Sequence, residues 1–348
     1  MNSPRIAIIG AGSLKFTAQI LSSLLAREAT RYAHVTLMDI DPARLALVDR
    51  YARAIAAHAG DTLAIHSTES RGDALVDADF VLVTVAIGGL ALKQMDVEIC
   101  REHGVIQVKG DTTGPAGIIR GLRSIPFMLD LARDMEQVCP DALMINLSNP
   151  LSTLTGAVTQ HTSIRAIGIC TSVEGMRHDF ADKLGAAQER VRLMSAGVNH
   201  FTWLTGLYLD GKRRMDLLQD VIAPAFEGLP VTLDLYRAYG MFPIPGYKYA
   251  SEFFPFFTSC ASEYGKPLGF SPFDAASEAA SLSASLAEIE DALAGGKPFA
   301  MPAVNTDSEA VVSLIESMVS GTPGVHTINC RNEGQVPMCV HLGKSMLY

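Results

Sequence analysis

Gly10-Ala-Gly12 is the first point in the chain where residue types and spacing suggest chemistry. It follows the apolar, β-branched run Arg5-Ile-Ala-Ile-Ile9 and precedes a candidate helix over about Leu14 to Glu28. Glycines permit a tight turn and let the backbone approach a pyrophosphate. Ser13 and Leu14, where that helix starts, add N–H groups and the positive end of the helix dipole. Lys15 stands where a third glycine is usual. A second strand, Val35–Met38, ends in Asp39, where a carboxylate would hydrogen-bond an adenosine ribose and disfavour a 2′-phosphate. A nucleotide-free turn with a loop aspartate is the plainer alternative. The strand–turn–helix setting together with Asp39 favours an NAD site.

Three more segments end strands or open turns. Asn146-Leu-Ser148-Asn149-Pro150 follows a buried run, at the carboxyl end where open α/β sheets bind ligands. Asn149 could exchange hydrogen bonds with sugar hydroxyls, or simply form an Asn-Pro turn. Gly168-Ile-Cys170-Thr171-Ser172 ends another run, and its thiol reads equally as a small buried apolar group. Gly197-Val-Asn199-His200 pairs an imidazole with a neighbouring amide, Asn199, a second candidate for sugar hydroxyls. A lone His is more often a packing residue than a ligand.

These positions need a scaffold, and the hydropathy pattern supplies one. Asp41-Pro42 starts a helix over about Ala43 to Ala57, with Asp as N-cap and Pro first in the helix. Phe80 to Ala86, Ala142 to Ile145 and Ala166 to Cys170 read as buried strands. Strands alternating with helices imply a Rossmann-type, doubly wound parallel sheet of the α/β class. Past about Ala196 the pattern changes to an aromatic- and Pro-rich stretch, Phe201 to Phe273, and then helices over Ala275–Leu293 and Ser308–Val319. The expected division is a nucleotide domain over 1–195 and a substrate domain over 196–348.

The 348 residues carry 28 basic and 37 acidic side chains, a net charge of −9, which argues against a nucleic-acid or polybasic membrane-surface partner. The most apolar stretch, from Ala78, is broken by Gly88 and Gly89 and is shorter than the ~20 residues that span a bilayer. The first residues show no signal-peptide pattern. Six scattered cysteines make no disulfide framework. The expectation is a soluble, reduced, cytoplasmic protein.

Taken in order, several segments resemble glycoside hydrolase family 4, the NAD- and metal-dependent glycosidases. They are Ile6 to Phe16, Gly110-Asp111-Thr-Thr-Gly114-Pro115-Ala-Gly117, Asn146 to Pro150, Gly168 to Cys170, Ala196 to His200, and Pro245-Gly246 leading into Ser251-Glu252-Phe-Phe-Pro255. The resemblance implies a substrate domain of α+β type like that of lactate and malate dehydrogenases. It also implies a divalent metal, usually Mn2+, held by Cys170 and His200. The implied chemistry is hydrolysis of O-glycosidic bonds, of α-galactosides or α-hexuronides by the Ser251–Pro255 segment. The route is oxidation at C3 by NAD, removal of the C2 proton, elimination at C1, addition of water and return of the hydride. The base aligns to Tyr247, with Tyr249 second. A carbohydrate substrate and a homo-oligomer, dimer or tetramer, are further expectations.

The chain departs from the family in two ways. Relatives carry Asp, His or Asn after the metal cysteine, and some use it to protonate the leaving group. Here Thr171 cannot titrate near neutrality, and the nearest carboxylates in the motif segments are Asp111 and Glu174. Asp111 reads equally as a cap for the helix near Pro115. Members are also longer. Asn329 to Pro337 resembles a family segment and Met338 to Tyr348 does not, so a shortened C-terminal part is expected, at some cost to stability and oligomer formation. Two rival readings remain, an NAD-dependent 2-hydroxy-acid dehydrogenase and a non-catalytic NAD-binding regulator.

Overall fold

A computed structural model of the chain describes residues 3–60, 62–258, 268–271, 273–295 and 299–330. The tail segment expected to match the family lies, from Arg331 on, outside the described residues.

The first half alternates strand and helix: β1 (Arg5–Ile9), α1 (Leu14–Leu25), β2 (His34–Met38), α2 (Pro42–His58), β3 (Ala64–Thr68), α3 (Arg71–Leu75) and β4 (Phe80–Val83). It continues with α4 (Gly89–Glu102), α5 (Gly114–Val138), β5 (Leu143–Asn146), α6 (Leu151–His161), β6 (Ala166–Ile169) and α7 (Ser172–Lys183). The second half holds β7 (Val191–Val198), β8 (Phe201–Leu209), β9 (Lys212–Arg213), α8 (Ala223–Ala225), α9 (Pro230–Tyr239) and β10 (Pro243–Ile244). Then follow α10 (Tyr247–Ser251), α11 (Ala275–Leu293), α12 (Thr306–Ser320) and β11 (Ile328–Asn329).

Seven strands form one sheet in the order β11-β6-β5-β4-β1-β2-β3. Strands β1 to β6 run parallel, and β11 pairs antiparallel with β6. This is the doubly wound order that reverses between β1 and β4, and the crevice beyond those two strand ends is where such sheets bind dinucleotides. β1 shows why the strands are apolar throughout. Its Ile6 and Ile8 face a core with α1, α2 and α12, whereas Ala7 and Ile9 face a core with α3, α5 and α6. A strand covered on both faces cannot alternate with polar residues.

The expected start of α2 is seen: the Asp41 carboxylate accepts from the Ala43 and Arg44 N–H groups, at 3.0 and 3.1 Å. β4 stops at Val83 rather than Ala86, and just past it the Thr84 hydroxyl donates to the Gly10 carbonyl at 2.8 Å.

The second sheet is antiparallel, β10-β8-β7, with β9 on β8. Its core packs against α7 through Phe180, Phe226 and Phe242, whose rings meet edge to face with centroids 5.4 to 5.9 Å apart. A parallel, helix-covered sheet and a separate antiparallel unit together give the expected fold class. The sequence placed a boundary near 195, which falls within β7, and residues of α11, α12 and β11 pack back on the first sheet. No helix among the described residues is long and apolar enough to cross a membrane.

β7 and β8 meet in a two-residue turn, Asn199-His200, with Val198 opposite Phe201. Gly197 makes the turn possible. Its φ is +153°, and a Cβ there would lie 2.5 Å from the Phe201 carbonyl oxygen and 2.7 Å from the Thr202 Cα. Both are backbone atoms that cannot swing aside. Gly175, inside α7, has nothing within 4 Å and an ordinary φ. Gly197→Ala should therefore lower unfolding free energy by about 1–3 kcal/mol. Gly175→Ala should leave it equal or raise it by up to about 1 kcal/mol. Denaturant titration of the two variants checks the contrast, and equal effects would contradict it.

Candidate active site

The glycine turn is fastened to the end of β2. The Gly10 and Ala11 N–H groups both donate to the Met38 carbonyl at 2.9 Å. Gly10 has φ +89°, and a Cβ would sit 3.0 Å from the Thr84 carbonyl oxygen. At Gly12 a Cβ would sit 2.5 Å from Asp39 Oδ2. Without it, the Gly12 N–H donates to that oxygen at 2.7 Å, and the Asp41 N–H donates to Oδ1 at 3.0 Å. A carboxylate has about four lone-pair sites, so the half-buried Asp39 keeps capacity for further donors. Ser13, before α1, makes no side-chain cap among the described residues, and no acidic residue occupies the first turn. The N–H groups at that helix start suit an anion. Leu14 contributes only backbone there, since its side chain lies in the core, 2% exposed.

From Ser13 a cavity of about 480 Å³ runs past Thr84, Asn149 and Arg120 to Cys170, His200 and Tyr249. Cys170 follows the end of β6, and His200 occupies the hairpin turn with φ +61°, rare for a residue with a side chain. Thiol and imidazole both line this cavity, and each shifts the titration of the other. The Cys170 Sγ also lies 3.1 Å from the Ser172 hydroxyl. Burial pushes the thiol up, but His200 and Ser172 outweigh it and hold Cys170 below its usual range. Burial pushes His200 down, while Cys170, Asp111 and Glu252 raise it, with a net rise.

Nδ1 of His200 hydrogen-bonds the Thr112 hydroxyl and lies 3.9 Å from Asp111 Oδ1. Asp111 is 8% exposed and also lies 3.9 Å from Lys93 Nζ. It does not cap α5, whose N-cap is Thr113. The Glu252 carboxylate accepts from the Lys109 and Gly110 N–H groups, at 2.7 and 2.9 Å, and so pins this loop beneath the imidazole.

The two tyrosines part company. Tyr247, the first choice from sequence, has φ +46°, and its hydroxyl donates to the Leu268 carbonyl at 3.3 Å. The Tyr249 ring lies on His200, centroids 4.1 Å apart, and forms part of the cavity wall. Burial first, then the charges of Asp111, Cys170, Glu252 and Asp307, push its phenol far above the usual range.

Of the expected sugar-binding amides, Asn149 lines the cavity, its Oδ1 accepting from the Leu151 N–H at 3.3 Å. Asn199 does not line it; it is 2% exposed, with neither amide atom bonded among the described residues. Glu174 pairs with Arg177 at 2.6 Å and lines a different cavity.

Lys93, Arg120 and Asp307 were missed in the sequence. Asp307 sits in the first turn of α12 and accepts a hydrogen bond from the Thr171 hydroxyl, a contact spanning 136 positions. No local pattern announces it.

Comparison with known proteins agrees with this geometry. An alpha-galactosidase of Bacillus subtilis (strain 168) is 34% identical over 268 residues, 73% of this chain and 60% of the relative. An alpha-galacturonidase of the same organism is 30% identical, covering 72% of this chain and 61% of its own length. The chain thus spans about 60% of the length of these curated relatives. The crystal structure of the Bacillus subtilis protein lplD superposes with TM-score 0.84 at 25% identity, over 98% of this chain and 83% of that one. The 6-phospho-beta glucosidase of Thermotoga maritima, solved with manganese, NAD+ and glucose-6-phosphate, has TM-score 0.80 at 20% identity, over 97% and 79%, a likeness of fold. Lactate dehydrogenase of Eimeria maxima shares the fold more distantly, with TM-score 0.55 at 16% identity. Residues 5–186 match the model for family 4 glycosyl hydrolases and residues 195–338 that for their C-terminal domain; the chain belongs to this family.

Proposed function

We propose that the chain is a cytoplasmic, homo-oligomeric glycosidase acting on α-galactosides or α-hexuronides with NAD and a divalent metal, Mn2+ foremost. The observation that carries this is the single cavity joining the start of α1 to the Cys170–His200 pair and Tyr249. The relatives' names support the substrate class, and the Thermotoga maritima complex supports the cofactors.

The residues fit both groups. For NAD, two glycines leave room for a close approach, and Asp39 would take ribose hydroxyls. Ile40, 83% exposed beside it, offers an apolar face to adenine. For the metal, a thiolate and an imidazole give two donors, and the described residues hold no cluster of three or more His, Cys, Asp or Glu side chains suited to a metal. Such a site leaves positions open for substrate oxygens. When bound, NAD supplies reversible hydride acceptance at C3 and the metal supplies charge stabilisation at the C2 and C3 oxygens.

The chain's own groups do the rest. Asp111 and Thr112 fix the His200 ring through Nδ1, leaving its other nitrogen for the metal. Tyr249 takes the C2 proton. Its acidic surroundings push the phenol the wrong way for a base, and a divalent metal held by Cys170 and His200 would oppose that push. Asn149 orients sugar hydroxyls. One arrangement favours the rival 2-hydroxy-acid dehydrogenase: Asp111 lies near His200, and Arg120 is in the cavity wall. Net formation of NADH with a hydroxy acid, and no glycoside turnover, would decide for it.

Three outcomes follow. Asp39→Ala should weaken NAD binding and narrow its advantage over NADP; tighter NADP than NAD in the unsubstituted protein would contradict the ribose role. Cys170→Ser or His200→Ala should weaken Mn2+ binding at least about tenfold, a loss typical of metal-site substitutions. The raised His200 must lose its proton to bind, so Mn2+ affinity should climb as pH rises past its titration and fall below it. Calorimetric Mn2+ titrations at several pH values check both, and a flat pH dependence would exclude His200. Finally, turnover in deuterated water should place deuterium at C2 of the released sugar. Tyr249→Phe should slow turnover by about 10²–10⁴-fold. Product with no deuterium at C2 would reject elimination.

A further inference from the structure

We propose that Asp307 is the acid that protonates the departing oxygen at C1, a role that rests on the glycosidase reading above. Elimination needs a proton donor as well as a base. Among the side chains that form the cavity wall, the one carboxyl group within the described residues is Asp307. Asp111 stands behind His200 and is held near Lys93, and Glu174 opens on another cavity.

Three features make Asp307 available. It shares the wall with Cys170, His200 and Tyr249, so a sugar held there lies within its reach. Its partner, the Thr171 hydroxyl, is also in the wall and fixes the direction of the carboxyl group. It is not consumed by helix capping either: Asn305 caps α12, accepting from the Ser308 N–H at 2.9 Å, and the Ser308 hydroxyl returns to Asn305.

The step balances. Asp307 gives its proton to the glycosidic oxygen as the C1–O bond breaks, and the bonding pair leaves with that oxygen. The alcohol departs neutral and a carboxylate remains. The pair released when Tyr249 takes the C2 proton forms the C1–C2 double bond. When water later adds at C1, it returns a proton to Asp307, and C2 is reprotonated by Tyr249.

Asp307→Asn keeps the shape and still accepts from Thr171, yet cannot deliver a proton. A methyl glycoside has a poor leaving group and needs that proton; a nitrophenyl glycoside needs it far less. The variant should lose about 10²–10⁴-fold on the methyl glycoside and at least about tenfold less than that on the nitrophenyl one. Thr171→Asp added to Asp307→Asn puts a carboxyl group back into the same wall and should recover methyl-glycoside turnover at least about tenfold, within the range expected of one acid. NAD affinity and the thermal midpoint, measured on the same samples, should stay close to those of the unsubstituted protein. Equal losses on both glycosides, no loss on either, or a collapse of NAD binding would overturn the assignment. If the unsubstituted protein incorporates deuterium at C2 while Asp307→Asn loses both glycosides equally, only the acid is wrong. If the unsubstituted protein hydrolyses neither glycoside, the glycosidase reading fails and the acid with it.

Discussion

The electrostatic interaction between Cys170 and His200 links the two halves of the molecule across one cavity. One partner ends a parallel strand and the other sits at the tip of an antiparallel hairpin. Each is preceded by a glycine that packing requires. A Cβ on Gly168 would meet Thr155 Oγ1 at 2.8 Å and Leu151 Cγ at 2.9 Å, so β6 could not lie against α6. A Cβ on Gly197 would strike the opposite strand and open the turn. The motifs Gly168-Ile-Cys170 and Gly197-Val-Asn199-His200 are thus close-packing devices first, and the chemistry is attached to them. Buried as it is, the pair shares charge in a low dielectric, which explains why thiol and imidazole shift in opposite directions.

The first sheet was legible because its constraints are local. A strand covered on both faces must be apolar along its length, and a helix opening with Asp41-Pro42 carries its start in two residues. The glycine turn and Asp39 likewise belong to one βαβ unit. The second half was less legible. Tyr247 and Tyr249 are two positions apart in a five-residue helix, and spacing alone cannot say which faces the Cys170–His200 pair. The backbone separates them: with φ +46° at Tyr247, the helix opens with that ring turned to Phe270 and Leu268, which leaves Tyr249 on the His200 side. Asn199 shows the opposite hazard. Adjacency to His200 in sequence suggested a shared role, but the turn sends the two side chains to different places.

What sequence could not show at all is the return of the chain. α12 inserts Val311, Val312, Leu314 and Ile315 into the core that also holds Ile6 and Ile8 of β1. Each such burial is worth roughly 1.5–3 kcal/mol, so the helix is an integral part of the first-sheet unit although it lies some 300 residues along. The consequence is mechanical. A carboxyl group at the start of α12 is held by the same core that holds the glycine turn, and its position is fixed before any ligand arrives. Preorganised groups stabilise a transition state without reorganising during the reaction. Thr171 then needs no charge of its own. It has only to hold the carboxyl group in the cavity wall through its hydroxyl, and the residue beside Cys170 stays neutral.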